Sequence, residues 1–104
     1  MGRFVKWNLR RGREIPEDAV RMDRMTRWGN PFKDGTREEN IAKHMAYLRE
    51  EWKRDAVTRE MIRGMARKIK NGEDVHVSCW CYPLPCHLDN WEKAVMALVE
   101  KGLV

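Results

Sequence analysis

Between Val75 and Val99 the apolar residues change their spacing once, from every second position to every third or fourth, and that change dictates the class of fold. Val75, Val77, Cys79 and Cys81 fall on one side of an extended chain and His76, Ser78 and Trp80 on the other, the period of a strand. From about His87 or Leu88 to Gly102 the inward positions become Leu88, Trp91, Val95, Leu98 and Val99, the period of a helix. The junction is the window Cys79-Trp80-Cys81-Tyr82-Pro83-Leu84-Pro85-Cys86-His87, where two prolines stiffen the exit from the strand. A strand that feeds a helix in this way belongs to an α/β fold.

Upstream, Phe4-Val5-Lys6-Trp7-Asn8-Leu9 alternates as a first strand, and Arg10-Arg11-Gly12-Arg13 follows as a basic, flexible turn. Ala19 to Met25 places Val20 and Met22 on one face and Arg21 and Asp23 on the other, a second strand. Arg27-Trp28-Gly29-Asn30-Pro31-Phe32 is a loop, because a residue before proline is pushed out of helical space. Thr36-Arg37-Glu38-Glu39 is a capping box and opens a helix to about Asp55, with Ile41, His44, Met45, Leu48 and Trp52 inward. A further helix begins at Thr58, turns Met61, Met65 and Ile69 inward and stops at Asn71-Gly72. The expected architecture is a small α/β sheet covered by helices, in the order β-β-α-α-β-α, as one domain over residues 1–104.

Composition narrows the class of protein. Apolar residues make up 42% and charged residues 36%, the balance of a soluble globular domain and not of a disordered tail. No apolar run approaches the ~18 residues of a membrane span, and Met1 to Lys6 lacks a signal-peptide core, so a cytoplasmic protein without a membrane partner is expected. Three cysteines, an odd number, argue against a disulfide framework and for reduced thiols or thiolate ligands. Glutamine is absent while Glu, Lys and Arg abound, a bias of thermophile proteins. Of the net charge of +5, the excess sits at the front, where Arg3, Lys6, Arg10, Arg11, Arg13, Arg21, Arg24 and Arg27 outweigh four acids. Such asymmetry favours phosphate-bearing partners, although ordinary solubility charge has the same appearance.

The window at residues 79–87 holds every cysteine and admits three chemistries. Cys79, Cys81, Cys86 and His87 make a Cys3His complement for zinc, with His44 or His76 as replacement ligands, but their spacing is not that of a CxxC knuckle. Cys86 is placed as a nucleophile, since a helix N-terminus lowers a thiol pKa and His87 adjoins it. Alternatively, Cys79 and Cys81 simply continue the buried face of Val75 and Val77. Elsewhere, Arg59, Arg63, Arg67 and Lys70 form a basic stripe on the second helix, able to track a nucleic-acid backbone or merely to be solvated.

The Trp28-Gly29-Asn30-Pro31-Phe32 loop, the Thr36-Arg37-Glu38 helix start and Cys79-Trp80-Cys81 with Pro83, Pro85, Cys86 and His87 resemble the family called domain of unknown function 4326. The resemblance runs from about Val20 to the last helix. It departs at Leu88, where a glycine commonly follows the Cys-His pair, while Asp89 keeps the acidic position. Membership implies a small bacterial or bacteriophage protein in which the two motifs occur together, and implies no particular activity.

If both loops open on one rim of the sheet, they form a shared site. Arg27, Trp28, Gly29, Asn30, Arg37 and Trp80 would bind a nucleotide, the arginines through phosphate and the indoles by stacking. Cys86, His87, Asp89 and Asn30 would be the catalytic candidates. The expected function is therefore nucleotide or nucleic-acid binding or turnover at this rim. The alternatives are a non-catalytic DNA- or RNA-binding module with structural, zinc-binding cysteines, and a phage factor that binds a host protein.

Overall fold

The last strand in the chain is the middle strand of the sheet. In a computed structural model that describes all 104 residues, β1 (Phe4–Asn8) and β2 (Val20–Arg21) both pair in parallel with β3 (Val75–Cys79). Phe4 lies opposite Val75, Asn8 opposite Cys79 and Val20 opposite Val77. An all-parallel sheet needs cover on both faces. Three helices pack together beside this sheet, α1 (Arg37–Arg54), α2 (Ala56–Lys70) and α3 (Leu88–Glu100), with α2 in contact with β3. With a radius of gyration of 13.2 Å, the chain is a compact mixed α/β domain, and its helices and strands follow the expected order.

The capping box forms with both arms. Glu39 N–H donates to Thr36 Oγ1 at 3.1 Å, and Thr36 N–H donates to a Glu39 carboxylate oxygen at 3.3 Å. The second helix starts two residues before Thr58, because Asp55 caps it by accepting Val57 N–H at 3.2 Å and the Thr58 hydroxyl at 2.7 Å. That start turns Ile62 and Ala66 into the core beside Met65 and Ile69 and leaves Met61 half-buried. On the first helix Leu48 and His44 are buried as expected, and the remaining buried position is Asn40.

Two expectations about the front of the chain need correction. The second strand was expected to run from Ala19 to Met25, yet only Val20 and Arg21 are strand. Met22 N–H makes a last sheet bond to Ser78 O at 2.9 Å, after which the Asp23 carbonyl accepts both Thr26 N–H and the Thr26 hydroxyl and turns the chain. The basic turn is a 3-10 stretch, Leu9–Glu14, opened by Asn8, whose side-chain oxygen accepts Arg10 N–H. Its break falls at Gly12, whose φ of 52° is a left-handed value that glycine adopts without strain.

The core runs from the sheet to the helices through Met22, Val77, Ile62, Ile69, Leu88, Trp91 and Val95. Trp91 meets Trp28 edge to face, with ring centroids 5.6 Å apart, so the tryptophan of the Trp-Gly-Asn-Pro-Phe loop plugs the core. Lys6 bridges Asp89 and Glu92 at 2.8 and 2.7 Å, tying β1 to the first turn of α3.

Candidate functional site

At the carboxyl edge of a parallel sheet the chain must turn away from each strand, and ligands in open α/β folds collect there. This protein has a cleft of about 510 Å³ at that edge, lined by residues from the end of β2 (Asp23, Arg24, Met25), the following loop (Asn30), the start of α1 (Arg37, Asn40, Ile41) and the window after β3 (Cys79 to Cys81, Pro85 to His87). Two loops about fifty residues apart in sequence thus share one rim, as their placement at strand ends implied.

The wall from β2 rests on a buried carboxylate. Asp23 accepts Arg21 in a two-bond fork at 2.9 and 2.8 Å and also accepts Trp80 Nε1–H at 3.1 Å. The Arg21 hydrogen bonds hold the Asp23 carboxyl below the ordinary carboxylate range, against the opposing effect of burial. Trp80 itself is 53% exposed, an indole fixed at its nitrogen with its ring facing solvent. Met25, Tyr82 and Leu84 are exposed nearby in the chain. Asn8 at the end of β1 steadies the window from outside, its amide donating to Trp80 O at 3.1 Å and Tyr82 O at 2.6 Å.

The rim also carries positive charge. Arg24 donates to Asn30 O and Phe32 O at 2.9 and 3.1 Å, and Arg37 donates to Pro85 O at 3.2 Å. Each guanidinium uses only one nitrogen in these bonds, and both side chains are exposed. Gly29 lets this loop fold closely, since a Cβ there would lie 2.3 Å from Asp23 O and 2.7 Å from Arg24 Cα. Asn30 is spent on the fold. Its amide donates to Asn40 O at 3.1 Å and its oxygen accepts Phe32 N–H at 2.9 Å.

The floor is sulfur and imidazole. Strand β3 ends at Cys79, so Trp80 and Cys81 already lie on the bend, and Cys81 is half-buried instead of continuing the inward face. Cys79 Sγ sits 3.6 Å from Cys86 Sγ and accepts Cys81 N–H at 3.3 Å. The bond from Cys86, with amides of Tyr82 and Cys81, pulls the Cys79 thiol below its ordinary value against burial. The Cys86 thiol is pushed up, by that same sharing of one proton between two sulfurs and by burial.

His87 is 6% exposed and its Nε2–H donates to Met22 O at 2.5 Å. Behind it His44, 1% exposed, lies with its ring centroid 5.3 Å away. Asn90 Nδ2 donates to Ile41 O at 2.8 Å, which fixes that atom as a donor; its bond to His44 Nδ1 at 3.0 Å therefore makes His44 the neutral Nε2–H tautomer. Burial and the neighbouring His87 lower the His44 pKa to about 3. Burial likewise lowers that of His87.

The structure separates the residues that the sequence grouped. Asn30, Arg37, Trp80, Cys86 and His87 line the cleft, whereas Arg27, Trp28 and Gly29 border a different depression with His44, Tyr47 and Trp91. Arg27 pairs with Asp55 and stacks on Trp28 at 4.7 Å. Asp89 lies outside the cleft, bonded to Lys6 and to Cys86 N–H. Cys79, Cys81, Cys86 and His87 do not converge as a ligand set, nor does any other group of three or more His, Cys, Asp or Glu side chains. The basic stripe turns inward on itself: Arg59 donates to Trp52 O at 2.8 Å, Arg63 and Arg67 share Glu60, and Lys70 reaches Val104 O. Asp23, Arg24 and Asn40 were missed, and the one available signal was an acidic residue at the end of a strand pattern.

A parallel three-stranded sheet with a sulfur-floored cleft at its carboxyl edge defines a small α/β domain. The chain belongs to the family described as Domain of unknown function (DUF4326), which matches residues 5–97 and so spans the whole cleft. No curated protein and no solved structure matches the chain. Leu88 is fully buried in the core and takes no part in the cleft wall.

Proposed function

We propose that the cleft binds a nucleotide, with the base against Trp80 and the phosphate toward Arg37 and Arg24. The observation that carries this reading is the Trp80 indole, anchored at Nε1 to buried Asp23 while its ring remains more than half exposed. An aromatic face held in this way can stack any base at little entropic cost, and stacking is worth about 1–3 kcal/mol per base. The two guanidiniums offer free N–H donors suited to phosphate oxygens. The cysteines and His87 lie beneath, where the reacting part of a ligand would sit if the protein turns it over. The wild-type protein titrated calorimetrically with 5′-mononucleotides, nucleosides and inorganic phosphate tests the reading. Mononucleotides should bind most tightly, and equal weak heats for all three would overturn it.

A further inference from the structure

We infer that Cys79 and Cys86 form a reversible thiol–disulfide site in the floor of the cleft, Cys79 attacking and Cys86 resolving, with a peroxide as oxidant. The two sulfurs are in van der Waals contact at 3.6 Å, close enough that a bond at about 2.05 Å needs only a side-chain rotation and a small shift of the intervening loop. The side chains of Trp80, Tyr82, Pro83, Leu84 and Pro85 between them are all exposed, so such a shift displaces none of the core packing. The order of attack follows from the donors. Cys79 Sγ accepts the Cys81 amide at 3.3 Å, a donor that favours the thiolate at position 79. Both sulfurs border the cleft, which gives a molecule as small as hydrogen peroxide its path to otherwise buried groups.

In the first step the Cys79 thiolate attacks one peroxide oxygen, the O–O bond breaks, hydroxide leaves and is protonated to water, and Cys79 becomes a sulfenic acid. In the second, Cys86 loses its proton, its sulfur attacks the Cys79 sulfur, the S–O bond breaks and the oxygen leaves as water. Two thiols lose two electrons and the peroxide gains two. A dithiol reductant returns both thiols by exchange. The inference does not depend on nucleotide binding, since it concerns only the contact of the two sulfurs.

Exposure alone favours a different outcome. Cys81 is the most accessible of the three thiols, so a protein without a built pair would oxidise there first. The test treats the intact protein with a slight excess of hydrogen peroxide, denatures it, blocks remaining thiols with N-ethylmaleimide and measures its mass. The expected product has lost two hydrogen atoms, carries a single maleimide out of three cysteines, and maps by chymotryptic peptides to a Cys79–Cys86 bond that dithiothreitol removes. In Cys86→Ser the reaction should halt at a dimedone-reactive sulfenic acid on Cys79, while Cys81→Ser should form the disulfide at the wild-type rate. A bond involving Cys81, disulfide-linked dimers, oxidation beginning on Cys86 or three maleimides on wild type would each overturn the inference. The wild-type peptide map stands even if a variant fails to fold.

Discussion

Trp80 Nε1–H donates to Asp23 Oδ2 at 3.1 Å, a bond between residues 57 positions apart that joins the turn after β2 to the turn after β3. It fixes the exposed indole at one end and satisfies one oxygen of a carboxylate that is almost sealed from water. Arg21 meets the same carboxylate from the strand, so a single buried anion organises the cleft wall.

Asp23→Asn keeps the shape of that side chain but replaces an acceptor with a donor facing the Trp80 and Arg21 N–H groups. The loss of a buried, charge-assisted acceptor should cost about 1–3 kcal/mol in urea denaturation. Freed from its anchor, Trp80 should show raised mobility by fluorescence anisotropy against a background in which the other tryptophans are Phe. An Asp23→Asn protein as stable as wild type would show that the carboxylate is not the keystone.

Stability should fall on mild acidification. An unfolded histidine titrates near about 6.5, whereas His44 in the fold is held to about 3 by burial and by His87, itself also lowered by burial. Below about pH 6.5 the unfolded chain therefore binds protons that the native protein refuses, so the contribution is fully present above that value and is lost as pH falls toward 3. The size is on the order of a few kcal/mol. Asp23, Glu39 and Asp55, all lowered by their hydrogen bonds, add losses only near the carboxylate range. Urea midpoints measured at constant ionic strength should drop between about pH 6.5 and 5, where carboxylates remain ionised, and a flat profile there would contradict a neutral buried His44.

Gly29→Ala tests why the loop carries a glycine. The added Cβ would meet backbone at 2.3 and 2.7 Å, and neither Asp23 nor Arg24 can yield without moving the cleft wall. A loss of about 1–3 kcal/mol is expected from such overpacking, read as a lowered Tm. Gly64→Ala, where a Cβ meets nothing within 4 Å, is the control and should be neutral or stabilising in the middle of α2.

Arg59 should prove a helix cap. Its guanidinium donates to Trp52 O and lies by Lys53 O, carbonyls in the last turn of α1 that have no later amide to accept from. Arg59→Ala should lower stability by about 1 kcal/mol, and Arg59→Lys should recover only part of it. Unchanged stability together with weakened DNA or RNA binding would instead restore the stripe as a phosphate track.

Local signals were the legible ones. Thr36 and Glu39 are three residues apart, and the capping box they spell is the one that forms. The start of α2 at Ala56 leaves no apolar signal, since the pattern is as readable from Thr58, and only the bonds that Asp55 accepts mark it. The extent of β2 depended on Ser78, a partner far along the chain, and such pairing leaves no local trace. The site was legible in outline and misread in detail for the same reason. A Trp-Gly-Asn-Pro-Phe loop announces a tight turn, but only the packing of Trp91 decides that Trp28 faces the core, and only the bond to Asp23 that Trp80 borders the cleft. Likewise a cysteine before a helix suggests an acidic thiol, and only the fold shows that Cys79 comes within 3.6 Å of it.

The central claim is that Trp80 is the base platform of a nucleotide cleft, and its most direct test is the Kd of one 5′-mononucleotide for wild type, Trp80→Ala and the Arg63→Glu/Arg67→Glu double variant. Loss of one stacked base should weaken binding to Trp80→Ala about tenfold or more, while the double variant, altered on α2 away from the cleft, should bind as wild type. Equal affinity of Trp80→Ala and wild type, or loss of binding only in the double variant, would contradict it.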